Sequence, residues 1–167
     1  MRKIAMAPTA PTFYVREAEL KPLAVAARAM GVRIHSHLSE TGDYIEWTQS
    51  RYGLRPVPWL AQHDWLGPDV WYAHLVDCTP DEVAMLASSG TAMAHCVQAN
   101  NRLGSGVAPA DALHALGGTV SLGVDSAGAN EAADMISAMY ATFCTHRATK
   151  GASATTAETV LHWAAAG

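Results

Sequence analysis

Val32-Arg33-Ile34-His35-Ser36-His37-Leu38, followed by the polar step Ser39-Glu40-Thr41, is the stretch whose reading decides the fold. This short run, with Val32, Ile34 and Leu38 apolar and histidines two apart, fits a buried strand that places His35 and His37 on one face and ends at a polar loop. Similar short runs recur at about residues 2–7, 70–76, 91–96 and 119–124. Between them, apolar residues fall at helical spacing over 15–30, 79–88, 108–116, 131–148 and 155–166. Residues 42–67, with Trp47, Pro56, Pro58, Trp59 and Trp65, suggest two short helices around a turn. End signals support the pattern. Thr79-Pro80-Asp81-Glu82 and Thr155-x-x-Glu158 read as capping boxes, and Gly31, Gly90 and Gly117-Gly118 as helix stops.

Five strands separated by helices predict a parallel sheet with right-handed crossovers, either an open doubly wound sheet or part of a (β/α)8 barrel. A dinucleotide-binding sheet would carry Gly-x-Gly-x-x-Gly after its first strand. The nearest match, Gly104-Ser105-Gly106, follows a polar stretch and lacks the third glycine, so the barrel is the better reading.

Composition bounds the function. The 167 residues predict one domain, half of them hydrophobic and 16% charged, which is too much core material for a disordered tail. The net charge of −4 with scattered Lys and Arg supplies no basic stripe for nucleic acid. No apolar run approaches the roughly 20 residues that span a bilayer. A soluble, cytoplasmic protein is expected, with Cys78, Cys96 and Cys144 as small core residues in a reducing compartment.

In a parallel barrel, reactive groups gather at the C-terminal ends of the strands. Here the second run carries His37 near its end with Glu40 beyond it, the third carries His74 near its end, the fourth has His95 next to last, and the fifth ends with Asp125. Singly, a strand histidine reads as a hydrogen-bonded core residue and Asp125 as a helix cap. As a set on consecutive strands they form the imidazole and carboxylate donors that zinc prefers. His63, His114, His146 and His162 fall on helices or loops, where exposure is the default.

His35-Ser36-His37-Leu38-Ser39-Glu40-Thr41, Trp65-Leu66-Gly67 with Trp71-Tyr72-Ala73-His74, Ala94-His95-Cys96 with Asn100 and Arg102 to Gly106, and Gly123-Val124-Asp125 together resemble the amidohydrolase superfamily. Within it they resemble the aminohydrolases of heterocycles: guanine and 8-oxoguanine deaminases, pterin deaminases and s-triazine hydrolases. Where relatives commonly read Pro-Ser-Ser-Asn, this chain has Val97-Gln98-Ala99-Asn100.

The resemblance implies an α/β fold, a partial TIM-type barrel whose five strands correspond to strands four to eight. Residues 1–167 are then expected as the C-terminal part of a metal-dependent barrel, with the first strands, their His-x-His pair and a small β domain outside them. It implies zinc, with iron as the alternative, held by His37 and Asp125. Glu40, His74 and Asp125 would be catalytic: Asp125 takes a proton from water, His74 orients that water, and Glu40 shuttles a proton to a ring nitrogen. His95, Asn100 and Arg102 would shape the substrate pocket. The implied activity is hydrolytic deamination of an aminated heterocycle such as 8-oxoguanine, guanine or a pterin, by a homo-oligomer when full length. A triazine chloro- or aminohydrolase and a non-catalytic piece are the alternatives. With too few ligands for a catalytic zinc, the short chain is expected to bind zinc poorly.

Overall fold

A computed structural model of the chain describes residues 4–167. In chain order it contains β1 (Ala5–Met6), α1 (Pro11–Tyr14), α2 (Glu17–Ala29), β2 (Arg33–Leu38), α3 (Gly42–Tyr52), α4 (Pro56–Ala61), β3 (Val70–His74) and α5 (Pro80–Ser89). These are followed by β4 (Ala92–His95), α6 (Val97–Leu103), α7 (Ala110–Ala115), β5 (Val120–Leu122), α8 (Ala127–Asn130), α9 (Met135–Lys150) and α10 (Ala157–Ala165). The strand expected at 2–7 begins outside the described residues and is represented by Ala5–Met6.

All four pairings are parallel and the sheet order is β1-β2-β3-β4-β5. Each strand lies beside its predecessor, the order of a singly wound barrel. A doubly wound sheet would reverse direction from its first strand. The structure therefore decides between the two parallel architectures left open by the strand pattern.

The two faces of the sheet differ in a regular way. Ile34, Ser36 and Leu38 of β2 are buried, and His35 and His37 between them are half-buried on the opposite face. Register extends this across the sheet: Ile34 pairs with Val70, His35 with Trp71, His37 with Ala73, and Trp71 with Ala92. Ile34, Val70, Tyr72, Met93, Val120 and Leu122 pack with Leu20, Trp59, Trp65, Leu86, Leu113 and Trp163 of the surrounding segments in one core. The concave side carries His35, whose ring stacks on Trp71 at 4.7 Å between centroids.

Helix ends show where sequence signals held. Thr79 Oγ1 accepts from Glu82 N at 3.3 Å and Glu82 Oε2 accepts from Thr79 N at 2.9 Å, the expected capping box. Arg55 Nε also donates to Glu82 Oε2 at 2.8 Å, so this box anchors α5 to the start of α4. Replacing Thr79 with Ala is expected to cost about 1 kcal/mol, the usual scale for a lost N-cap. Urea unfolding measures this, and an unchanged midpoint would contradict it.

Elsewhere the boundaries need correcting. α10 is capped by Thr156, whose Oγ1 accepts from Thr159 N at 3.1 Å; Thr155 is buried and makes no cap. The helix expected from residue 131 begins at Met135, because Asp134 accepts from both Ile136 N and Ser137 N and sets the start there. Val97–Leu103, in the polar stretch before Gly104 where no helix is expected, forms α6 and stops at Gly104, whose φ of 74° suits a glycine C-cap. Its sequence, Val-Gln-Ala-Asn-Asn-Arg-Leu, has almost no amphipathic period to reveal it.

Candidate active site at the strand ends

The C-terminal ends of β2, β3 and β5 bring Glu40, His74 and Asp125 together. Simple alternation would put His74 on the helix-covered face, since it pairs with Leu38. That alternation breaks at the strand end, where His74 and Leu75 have φ of 73° and 52°. Ser39 and Asp125 are also left-handed, with φ of 51° and 59°. Each such non-glycine residue costs on the order of 1 kcal/mol or more, and strain of this kind concentrates at functional sites.

The result is a carboxylate pair facing one imidazole. His74 Nε2 lies 3.6 Å from Glu40 Oε2 and 3.9 Å from Asp125 Oδ2. The ring's other nitrogen, Nδ1, donates to Asn100 Oδ1 at 2.8 Å. Asn100 is fully buried on α6, so it fixes the ring with Nε2 directed toward the carboxylates.

His37 stacks on His74 with 5.2 Å between ring centroids. Its Nδ1 donates to the Thr9 carbonyl at 2.8 Å, while its backbone N–H donates to the same oxygen at 3.0 Å. Because a carbonyl only accepts, Nδ1 carries a proton, and in the neutral ring Nε2 is the nitrogen left to bind a ligand. A bare nitrogen with its partner nitrogen bonded to a backbone carbonyl is the arrangement of metal-binding histidines. Nitrogen and carboxylate donors at one rim suit zinc or iron.

The other expected site residues lie differently. His95 ends β4 but faces the helical layer, fully buried, and its Nε2 is 3.1 Å from His146 Nε2 on α9. It does not open onto the rim. Burial, with the neighbouring His146 and Lys150 adding, lowers its pKa to about 3, so the ring is neutral. Asn100 contacts His74 and is closed to solvent. Arg102 is exposed and pairs with Glu131 at 2.8 Å. His146 corrects the expectation of exposure: it is completely buried against His95 and within 3.8 Å of Asp111. It continues the buried line of Ala138 and Thr142 on the face of α9 that packs on α6, α10 and β5, a line whose polar Thr142 gives it little apolar signal in the sequence. Cys96 is 4% exposed and packs with Ala73 and Ala99, as a small core residue would. Its thiol also belongs to the rim group, since donor atoms of Cys96, His74 and Asp125 lie within 4.8 Å of one another, and burial first, then the Asp125 charge, pushes its pKa up to about 12.

Strand order and rim position together define one sector of a parallel (β/α) barrel, with imidazole and carboxylate donors at its rim. Residues 2–166 match the amidohydrolase family, and the chain belongs to it. It is 45% identical to an isoxanthopterin deaminase from an unknown prokaryotic organism, over 100% of this chain and 38% of that protein. It is 38% identical to an 8-oxoguanine deaminase from Pseudomonas aeruginosa, over 99% of this chain and 36% of that protein. Among solved structures, an adenosine deaminase from Xanthomonas campestris with bound zinc superposes with a TM-score of 0.92 at 28% identity, over 96% of this chain and 36% of that one. The chain thus spans little more than a third of the length of these relatives.

Proposed function

We propose that this chain forms strands four to eight of an eight-stranded amidohydrolase barrel that hydrolytically deaminates an aminated nitrogen heterocycle of pterin or 8-oxoguanine type. The observation that carries the reading is the placement of Glu40 and Asp125 3.6 and 3.9 Å from one buried imidazole nitrogen, at the rim where this architecture performs chemistry. The relatives named above supply the substrate class.

His37 and Asp125 would hold zinc, or iron in its place, and the metal when bound makes water acidic enough to attack near neutral pH. Asp125 takes a proton from the attacking water. Glu40 delivers a proton to a ring nitrogen, which makes the carbon bearing the amino group electrophilic. His74, held through Nδ1 by Asn100, accepts a hydrogen bond at Nε2 and keeps the water aligned between the two carboxylates. Oxygen bonds to that carbon, the proton taken up by Asp125 passes to the exocyclic amino group, the carbon–amino bond breaks to release ammonia, and the remaining hydroxyl proton returns to Glu40 as the carbonyl forms. The substrate is a small molecule, and a homo-oligomer in the cytoplasm is the expected setting. Among the described residues no helix is long and apolar enough to cross a membrane.

The test is an ammonia-release screen of the complete barrel with pterins, guanine, 8-oxoguanine and triazines. Release from a pterin or oxopurine supports the reading, and a preference for chlorinated triazines overturns it. In the same protein His37→Ala should strip the metal, as read by elemental analysis; full occupancy would remove His37 from the ligand set.

A further inference from the structure

Away from the strand ends, α3 presents an outward stripe that none of the described residues covers. Its inner side, Tyr44, Ile45 and Thr48, is buried, while Asp43, Glu46, Trp47, Ser50 and Arg51 lie exposed at helical spacing on the other side. Trp47 stays 43% exposed although its Nε1 donates to the Thr12 carbonyl at 2.9 Å. Beside it stand Phe13, 5.8 Å away between ring centroids, and Tyr14, which is 76% exposed. These rings and Arg51 border a cleft of about 600 Å³ between α1 and α3. Contiguous exposed aromatics rimmed by charge mark an interaction surface.

We propose that this face is a two-fold interface with a second copy of the chain, in which α3 packs antiparallel on the partner's α3 about Trp47. The charges fit that occupant. Asp43 lies four residues before Trp47 and Arg51 four residues after it, each about 6 Å along the helix at roughly 1.5 Å per residue. A two-fold axis at Trp47 therefore sets Asp43 opposite the partner's Arg51, and Arg51 opposite the partner's Asp43, one pair on each side of the aromatic contact. Residues 43, 47 and 51 form one ridge of fourth neighbours, and helices crossing at about −50° lay such ridges alongside each other. Among the described residues, Asp43, Glu46 and Arg51 form no ion pair within the chain, so these charges are left for a partner. Parallel packing would set like charge on like charge, and antiparallel axes also bring opposite helix-dipole ends together. Arg51 is held ready: its guanidinium lies 5.8 Å from the Trp47 ring and 5.7 Å from the Tyr52 ring, and its Nε donates to Tyr52 Oη at 3.1 Å. The contact needs neither a metal nor the hydrolytic chemistry of the strand ends.

The experiment is sedimentation equilibrium of the purified, reduced chain over about 1–100 μM. The unaltered chain should dimerise reversibly, and more weakly in high salt. Asp43→Lys and Arg51→Glu, which leave the inner packing of α3 untouched, should each weaken the dimer at least about tenfold. The combined variant Asp43→Lys/Arg51→Glu should recover it to within about threefold, because the reversed charges meet again across the axis. Circular dichroism checks that each variant keeps the fold. A monomer throughout the range overturns the proposal. So does a dimer indifferent to both single reversals, which would place the contact at the open sheet edges, or a combined variant as weak as the single ones.

Discussion

Glu40→Gln in a complete barrel carrying this chain is expected to lower turnover by at least about a hundredfold while leaving the metal bound, the scale of a lost general acid or base. The geometry separates the two effects. Glu40 stands 3.6 Å from His74 Nε2 at the polar end of β2, one-fifth exposed, and is available to a ligand on the open side. Glutamine keeps the shape and the hydrogen-bonding oxygen but cannot carry the proton a ring nitrogen needs. Turnover and metal content are measured on the same sample. Full activity in the variant would reject the shuttle role, and loss of metal would make Glu40 a ligand.

The second large effect concerns stability in acid. Between pH 7 and pH 5 the chain is expected to lose about 2 kcal/mol of folding stability from His95 alone, each pH unit below the unfolded pKa costing about 1.4 kcal/mol. The folded pKa is lowered, to about 3, by burial first, then by His146 and Lys150, with Asp111 opposing and His74 a small further contribution. The unfolded chain therefore binds the proton more readily. Stability is present above the usual histidine value near 6.5 and is lost as pH falls from there toward about 3. His146 is lowered in the same direction by its burial. Urea unfolding at pH 7 and pH 5 reads the loss, in a range that keeps most carboxylate titration out. In the paired His95→Leu/His146→Leu variant the loss should shrink, because both members of the buried hydrogen bond are removed together. Equal stability at the two pH values in the unaltered chain would contradict the account.

These two sites differ in how far the sequence exposes them. Strands were legible because their apolar runs are continuous and bounded by turn residues, and the rim set was legible because His37, His74 and Asp125 each fall at or near the end of one run. Chain order does the rest, since a singly wound parallel sheet lays successive strand ends side by side. That the runs pair in the order β1-β2-β3-β4-β5, and so belong to a barrel sector, was decided by the tertiary structure.

What chain order leaves open is which way a terminal side chain turns and what a distant helix brings to it. His74 and His95 both end strands, yet left-handed backbone turns His74 to the rim, while His95 keeps the strand's alternation and faces the helices. Asn100 reaches His74 across 26 residues, and His146 reaches His95 across 51. The sequence by itself determined the alternation of strand and helix and the residue types delivered to one rim, because periodicity and strand ends are local properties. Only the tertiary structure decided that Asn100 holds an imidazole, that His95 and His146 form a buried pair and that the Cys96 thiol stands beside Asp125, because each depends on the packing of segments far apart in the chain.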